Sequence, residues 1–182
     1  MGKTLALSTL AILAAALAGL ILLAQSKPDT YQVQREIEVA AAPATIFQNL
    51  DDFRRWAKWS PWERLEAGVN KTYAGPPRGT GASYTWEGKN IVSGKLIVTD
   101  STPPRTLAIR LELVKPRAET NHMTFELMPL PAATRVRWRM SGPTRFAAKL
   151  LSVFASTDAV IGRDLETGLA RLKALCETPA HP

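Results

Sequence analysis

Hydrophobic positions repeat with three different spacings along this chain, and each change of spacing marks a change of structure. Leu5 to Ala24 is almost wholly apolar, and no charged residue falls between Lys3 and Lys27. From Tyr31 the spacing becomes two: Tyr31, Val33, Ile37 and Val39 alternate with Gln32, Gln34, Glu36 and Glu38, predicting a half-buried strand. Arg35 falls on its apolar face, either reaching solvent at an edge or pointing into the interior. Pro43 then suits the first turn of a helix whose apolar face is Ile46, Phe47 and Leu50. A loop follows with Trp56, Trp59 and Trp62 three apart.

Further strands come in quick succession. Ala82, Tyr84 and Trp86 share one face, and Gly88-Lys89-Asn90 reads as a turn. Leu96 and Val98 mark a strand that ends before Pro103-Pro104. Leu107, Ile109, Leu111 and Leu113 alternate with Ala108, Arg110 and Glu112. Lys115-Pro116-Arg117 turns the chain toward Met123, Phe125 and Leu127, and Pro129 and Pro131 bracket the next connection. The last strand sets Val136, Trp138 and Met140 against Arg135, Arg137 and Arg139. Short strands joined by turns predict an antiparallel meander rather than βαβ units.

Beyond Gly142-Pro143 the spacing becomes helical. Phe146, Leu150, Val153, Phe154, Ile161, Leu165, Leu169, Leu172 and Leu175 form one stripe, with Ser156-Thr157-Asp158 placed to cap a second segment after a kink or break. Gly162 and Gly168 weaken that helix, and they suit close approach of the sheet or a ligand. A sheet with one apolar face and a helix with one apolar stripe bury them against each other. The fold class expected is α+β, a curved antiparallel sheet wrapped around a long C-terminal helix.

The N-terminal run divides the chain into residues 1–27 and a domain over 28–182, joined by the polar linker QSKPDT. About 20 helical residues span roughly 30 Å, the hydrocarbon thickness of a bilayer, so one transmembrane helix is expected. A cleaved signal peptide is the rival, because Ala16-Leu17-Ala18 has a small-x-small pattern; cutting there would leave GLILLA on the mature terminus. Lys3 on the short side favours a cytoplasmic N-terminus, which puts the domain on the extracytoplasmic, periplasmic side of a single-pass membrane protein.

The segments EIEVAAAPATIFQNL, WAKWSPWE, GTGASYTWEG and IGRDLETGLARLK, in this order, resemble the START-like helix-grip (SRPBCC) superfamily, and within it the polyketide cyclase/dehydrase-type proteins. The resemblance implies a helix-grip fold that encloses an apolar cavity for a lipid, aromatic polyketide or other hydrophobic small molecule. The family has no single catalytic motif, so the resemblance transfers a cavity and no catalytic residue. Three functions stay open: a membrane-tethered binding or carrier protein, a cyclase/dehydratase-type enzyme acting on such a ligand, and a protein-interaction or nucleic-acid module that only the net charge supports.

On this reading the cavity residues are Trp59, Trp62, Ala82, Tyr84, Trp86, Ile109, Leu111, Asn121, Phe125, Trp138, Ile161 and Leu165. Trp56, Trp59 and Trp62 either gate a cavity mouth or cap the core beneath their loop. Trp86 and Trp138 either meet a ligand edge or fill the core. Tyr84 and Asn121 are the inward polar groups. Charge changes little in this picture. The chain carries +7; without Lys3 and Lys27 the domain has 21 basic residues against 16 acidic ones, a net +5. The arginine stripe at 135, 137 and 139 would face Thr124 and Glu126 across a hairpin, and no aromatic residue of the strand shares its face, so no nucleic-acid partner is expected.

Candidate chemistry is sparse. Lone Cys176 excludes a disulfide framework. His122 falls on the outer face with Thr124 and Glu126, and His181 lies in the tail. Asp158 and Asp164 have no visible partner. A histidine metal site, a Ser-His-Asp triad and a phosphate loop are all missing, so no metal, cofactor or catalytic residue is assigned.

Overall fold

The computed structural model describes residues 2–64, 69–88, 92–115, 117–153 and 156–178, with side chains from residue 9 onward and excepting Arg64. Seven strands form one antiparallel sheet in the order β1-β7-β6-β5-β4-β3-β2. They are β1 (Thr30–Val39), β2 (Asn70–Ala74), β3 (Ser83–Glu87), β4 (Gly94–Thr102), β5 (Thr106–Leu113), β6 (Glu119–Pro129) and β7 (Thr134–Pro143). From β2 to β7 the chain is a meander, as the alternation predicts. β1 then closes against β7, with Val33 opposite Met140 and Ile37 opposite Val136.

The helices are α1 (Gly2–Gln25), α2 (Pro43–Leu50), α3 (Phe146–Leu151) and α4 (Thr157–Glu177). Two 3-10 turns, Phe53–Lys58 and Pro61–Arg64, carry the tryptophan-rich loop. β4 departs from regular pairing between Val98 and Asp100, an irregularity of the kind that bends a strand and adds to its twist. The expected break after α3 is present. Ser156 caps α4, its hydroxyl accepting from the Ala159 N–H at 3.1 Å.

α4 lies across the concave face of the sheet, burying Leu165, Leu169 and Leu172. Polar contacts fix it at both ends. At its start, Arg35 of β1 donates to Asp158 at 2.9 Å and to Glu166 at 2.5 Å. At its finish, Glu177 accepts the Ala40 N–H at 2.6 Å, and the Lys173 ammonium donates to the Glu38 carbonyl at 2.7 Å. The arginine on the apolar face of β1 is thus neither a cavity group nor a free edge residue. It clamps the helix.

Three features differ from expectation. β2 is an additional strand; its residues NKTYA are mostly exposed, and its inward positions are Lys71 and Tyr73, so the sequence shows no apolar–polar alternation there. β6 continues through Pro129, which pairs with Thr134 at the hairpin end where a missing N–H costs nothing to the interior. Phe146 is 47% exposed, so the apolar stripe of α4 does not extend along α3. Lys89, Asn90, Pro116, Phe154 and His181 lie outside the described residues.

α1 forms over the apolar N-terminal run and packs beside α3. Among the described residues no helix is long and apolar enough to cross a membrane; the described side chains of α1 begin only at Thr9.

Candidate functional site

The interior divides along the strands into a solid half and a hollow half. At the end of the sheet farther from α1, Trp56, Trp59, Phe125 and Trp138 pack together. Phe125 stacks on Trp138 at 4.9 Å, and the Trp59 ring meets Trp138 edge-on at 5.7 Å. The indole N–H groups of Trp56 and Trp59 donate to the carbonyls of Leu50 (2.8 Å) and Asn49 (3.0 Å), tying the loop to the end of α2. Aromatic rings at these separations contribute beyond their buried area, so this half is a rigid core.

The hollow half is a cavity of about 600 Å³. Its floor is Leu96, Leu111, Leu113, Met123 and Met140 of β4 to β7. Ile161 and Asp164 from the first turns of α4 form the roof. Ser60, Trp62 and Glu63 supply one wall; Lys71, Tyr84 and Trp86 of β2 and β3 supply another. Antiparallel pairing explains the clustering. Strand starts at Lys71, Leu96 and Met123 and strand ends at Trp86, Leu113 and Met140 all fall at one end of the sheet, where Thr30 pairs with Pro143.

Polar groups in the wall are few and concentrated. Glu63 and Lys71 form a close ion pair, with the Glu63 side chain only 7% exposed. Tyr84 lies beside them, stacked on Tyr73 at 5.1 Å. Burial, reinforced by the Glu63 charge, pushes the Tyr84 hydroxyl well above its ordinary range, so it is a neutral phenol that can donate or accept. Across the cavity, the Trp62 indole donates to Asp164 at 3.2 Å. At the rim, the Trp86 indole donates to the Val92 carbonyl at 2.6 Å, and its ring covers Gly94 on β4.

Of the residues expected around a ligand, Trp62, Tyr84, Trp86, Leu111 and Ile161 come together around this cavity. Trp59, Phe125 and Trp138 belong to the aromatic core instead. Ala82, Ile109 and Leu165 are also buried in the solid core. Asn121, 2% exposed, accepts from the Tyr31 hydroxyl at 2.9 Å and donates to Glu119. The tryptophan loop thus divides its labour: Trp59 caps the core, Trp62 faces the cavity, and Trp56 touches both.

Sequence reasoning missed Leu96, Leu113, Met123 and Met140 as cavity residues, although each shares an inward face with residues that it named. Glu63 and Lys71 carried no signal, since the ion pair depends on the unforeseen β2. Asp158 and Asp164 do acquire partners, Arg35 and Trp62 respectively.

The arginine stripe is paired as expected. Arg137 reaches Glu36 at 2.6 Å and Glu126 at 2.8 Å, while Arg135 reaches Glu38 at 2.7 Å. His122 is exposed on the outer face, opposite Ser141. Among the described residues no group of His, Cys, Asp and Glu is placed to hold a metal ion.

The profile of a family described as "Polyketide cyclase / dehydrase and lipid transport" matches residues 30–177. No curated protein sequence matches the chain significantly. Solved structures share the fold at low identity. DynU16, a protein of the dynemicin biosynthetic locus, is 20% identical with a TM-score of 0.59; the match covers 84% of this chain but 48% of that one. CV1439 from Chromobacterium violaceum is 16% identical with a TM-score of 0.59, covering 84% and 99%. The Aha1 dimer from Colwellia psychrerythraea is 18% identical with a TM-score of 0.57, covering 83% and 99%. The chain belongs to the polyketide cyclase/dehydrase and lipid transport family.

Proposed function

We propose that this family member is a membrane-tethered protein that holds or passes on a hydrophobic small molecule between its sheet and α4. The observation that carries the reading is the cavity. Its volume of about 600 Å³ lies within the range of about 300–1,000 Å³ typical of small-molecule sites, and side chains from six strands form its apolar floor and one wall. A lipid or an aromatic, polyketide-like compound suits such a lining, and the family description includes lipid transport.

Support for the tether comes from α1 and from where the cavity lies. Leu10, Ile12, Leu13, Leu17, Leu22 and Leu23 of α1 are all more than half exposed, and apolar surface of that extent calls for lipid or a partner. α1 leads into the start of β1, and α3, with Leu151 71% exposed, packs beside it. Both stand at the end of the sheet that holds the cavity. A bilayer-anchored α1 would therefore bring the hollow half toward the lipid surface, with the N-terminus cytoplasmic and the domain extracytoplasmic.

The test is a chloroform–methanol extract of the purified full chain, analysed by mass spectrometry beside a Leu111→Trp variant that fills the cavity. One hydrophobic compound enriched on the wild type and depleted on the variant is expected; identical extracts would overturn the container. For the tether, the full chain should stay with membranes through a carbonate wash and keep residues 1–27 by intact mass. Release as a shortened soluble chain would refute it. A cyclase/dehydratase-type enzyme is the second reading, favoured by the carboxylates Glu63 and Asp164 in the wall; conversion of the extracted compound by the wild type would establish it.

A further inference from the structure

We propose that the cavity selects its ligand by a hydrogen-bond-donating head, a protonated amine or a hydroxyl, and that Asp164 receives that head. The inference rests on the container reading and adds the chemistry of the ligand's polar end.

Among the described residues three charged side chains line the cavity: Glu63, Lys71 and Asp164. Glu63 and Lys71 neutralise each other in their ion pair. Asp164 receives only the neutral indole N–H of Trp62, and no cation among the described residues lies within ion-pair distance of it. The wall thus carries one uncompensated negative charge, although the whole chain is at +7. Trp62 fills one acceptor position of the carboxylate, and a carboxylate has about four. Because Asp164 faces the hollow, the positions left over are available to a ligand.

The same arrangement disfavours an anionic head. A carboxylate or phosphate would meet Asp164 with like charge, and Lys71, the one cation in the wall among the described residues, is already engaged by Glu63. An apolar body has its own place on Leu96, Leu111, Leu113, Met123 and Met140, across the cavity from α4. The cavity is therefore two-ended, with an apolar floor and an acceptor in the roof.

The experiment compares three probes with one chain length and different heads: n-octylamine, 1-octanol and octanoate. Each is titrated into the full chain in lipid nanodiscs. Tryptophan emission reports binding, since Trp62 and Trp86 stand in the wall, and empty nanodiscs correct for partitioning. Octylamine is expected to bind at least about tenfold more tightly than octanoate, with octanol between them, the margin set by a hydrogen bond to a charged group. Asp164→Asn should bring octylamine and octanoate to within about threefold of each other, while Asp164→Glu should keep the wild-type order.

Octanoate binding as tightly as octylamine to the wild type would overturn head selection, whether or not the variants fold. So would an unchanged preference in a folded Asp164→Asn protein. Saturable binding of all three probes with equal affinity would leave the container standing and remove the selectivity. No saturable response to any probe would refute the container and this inference with it.

Discussion

The ring of Trp138 occupies the space above Gly168: a Cβ at position 168 would lie 2.7 Å from Trp138 Cζ3 and 3.0 Å from Pro61 Cδ. The helix approaches the sheet this closely only because that residue has no side chain. One turn and a half earlier, a Cβ on Gly162 would meet the Arg35 guanidinium at 2.0 Å. Both glycines are contact points of the helix on the sheet, yet their neighbours differ in freedom to move.

That difference predicts unequal costs for the two alanine variants. Trp138 is fully buried among Trp59, Trp62 and Phe125, so its ring has nowhere to shift. Gly168→Ala should destabilise by about 1–3 kcal/mol, as overpacked cores do. Arg35 can swing its head into solvent, losing exposed ion pairs of small worth, and alanine regains up to about 1 kcal/mol of helix propensity. Gly162→Ala should fall within about 1 kcal/mol of wild type. Denaturant melts of the two variants check the order.

Filling the two halves of the interior should give opposite responses. Leu111→Phe places extra volume in the cavity; stability should change little, while tryptophan-detected binding of n-octylamine weakens at least fivefold, judged as loss of well-fitted apolar contact. Ala82→Phe forces a ring into the solid core, at a cost of about 1–3 kcal/mol, and the folded fraction should bind the probe as before. Paired melts and titrations separate the outcomes.

Acid should loosen the grip. Hydrogen bonds from Arg35 hold the Asp158 carboxyl below its usual range, as Arg137 does for Glu36 and the Ala40 N–H with Lys173 does for Glu177. Each folded-state pKa is depressed, so the stability it contributes is complete above the unfolded value of about 4 and is lost as pH falls through the folded value. Tm should be level from pH 7 to about 5 and decline below about 4. Arg35→Ala should flatten that decline, because Asp158 then titrates alike in both states.

Asp51, at the end of α2, should behave in the reverse sense. Its side chain is buried, Oδ1 has no hydrogen-bond partner, and burial raises its pKa. The folded state therefore carries a penalty for the charged form that disappears once acid protonates the group. Asp51→Asn should raise Tm at pH 7, and the gap over wild type should narrow as pH falls toward 4. A lower Tm at neutral pH would show that the carboxylate makes a compensating contact.

Local patterning determined the strands, helices and faces of this protein. Period-two spacing placed β1 and β3 to β7, the change of period placed α4, and an apolar face on each required sheet and helix to meet. Register was legible where charge supported it: Arg137 does stand opposite Glu126. What the sequence left open depends on neighbours remote in the chain. β2 was invisible because its inward side chains, Lys71 and Tyr73, do not form an apolar row. The position of the hollow was equally invisible, since an inward face records only that a side chain leaves water. Whether it then meets another side chain or empty space depends on where α4 rests, and that is set by the close approach of Gly168 to Trp138 and by the burial of Leu165, Leu169 and Leu172. Phe125 and Leu111 therefore read alike in the sequence, yet tertiary packing puts one in a solid aromatic core and the other on the floor of a cavity.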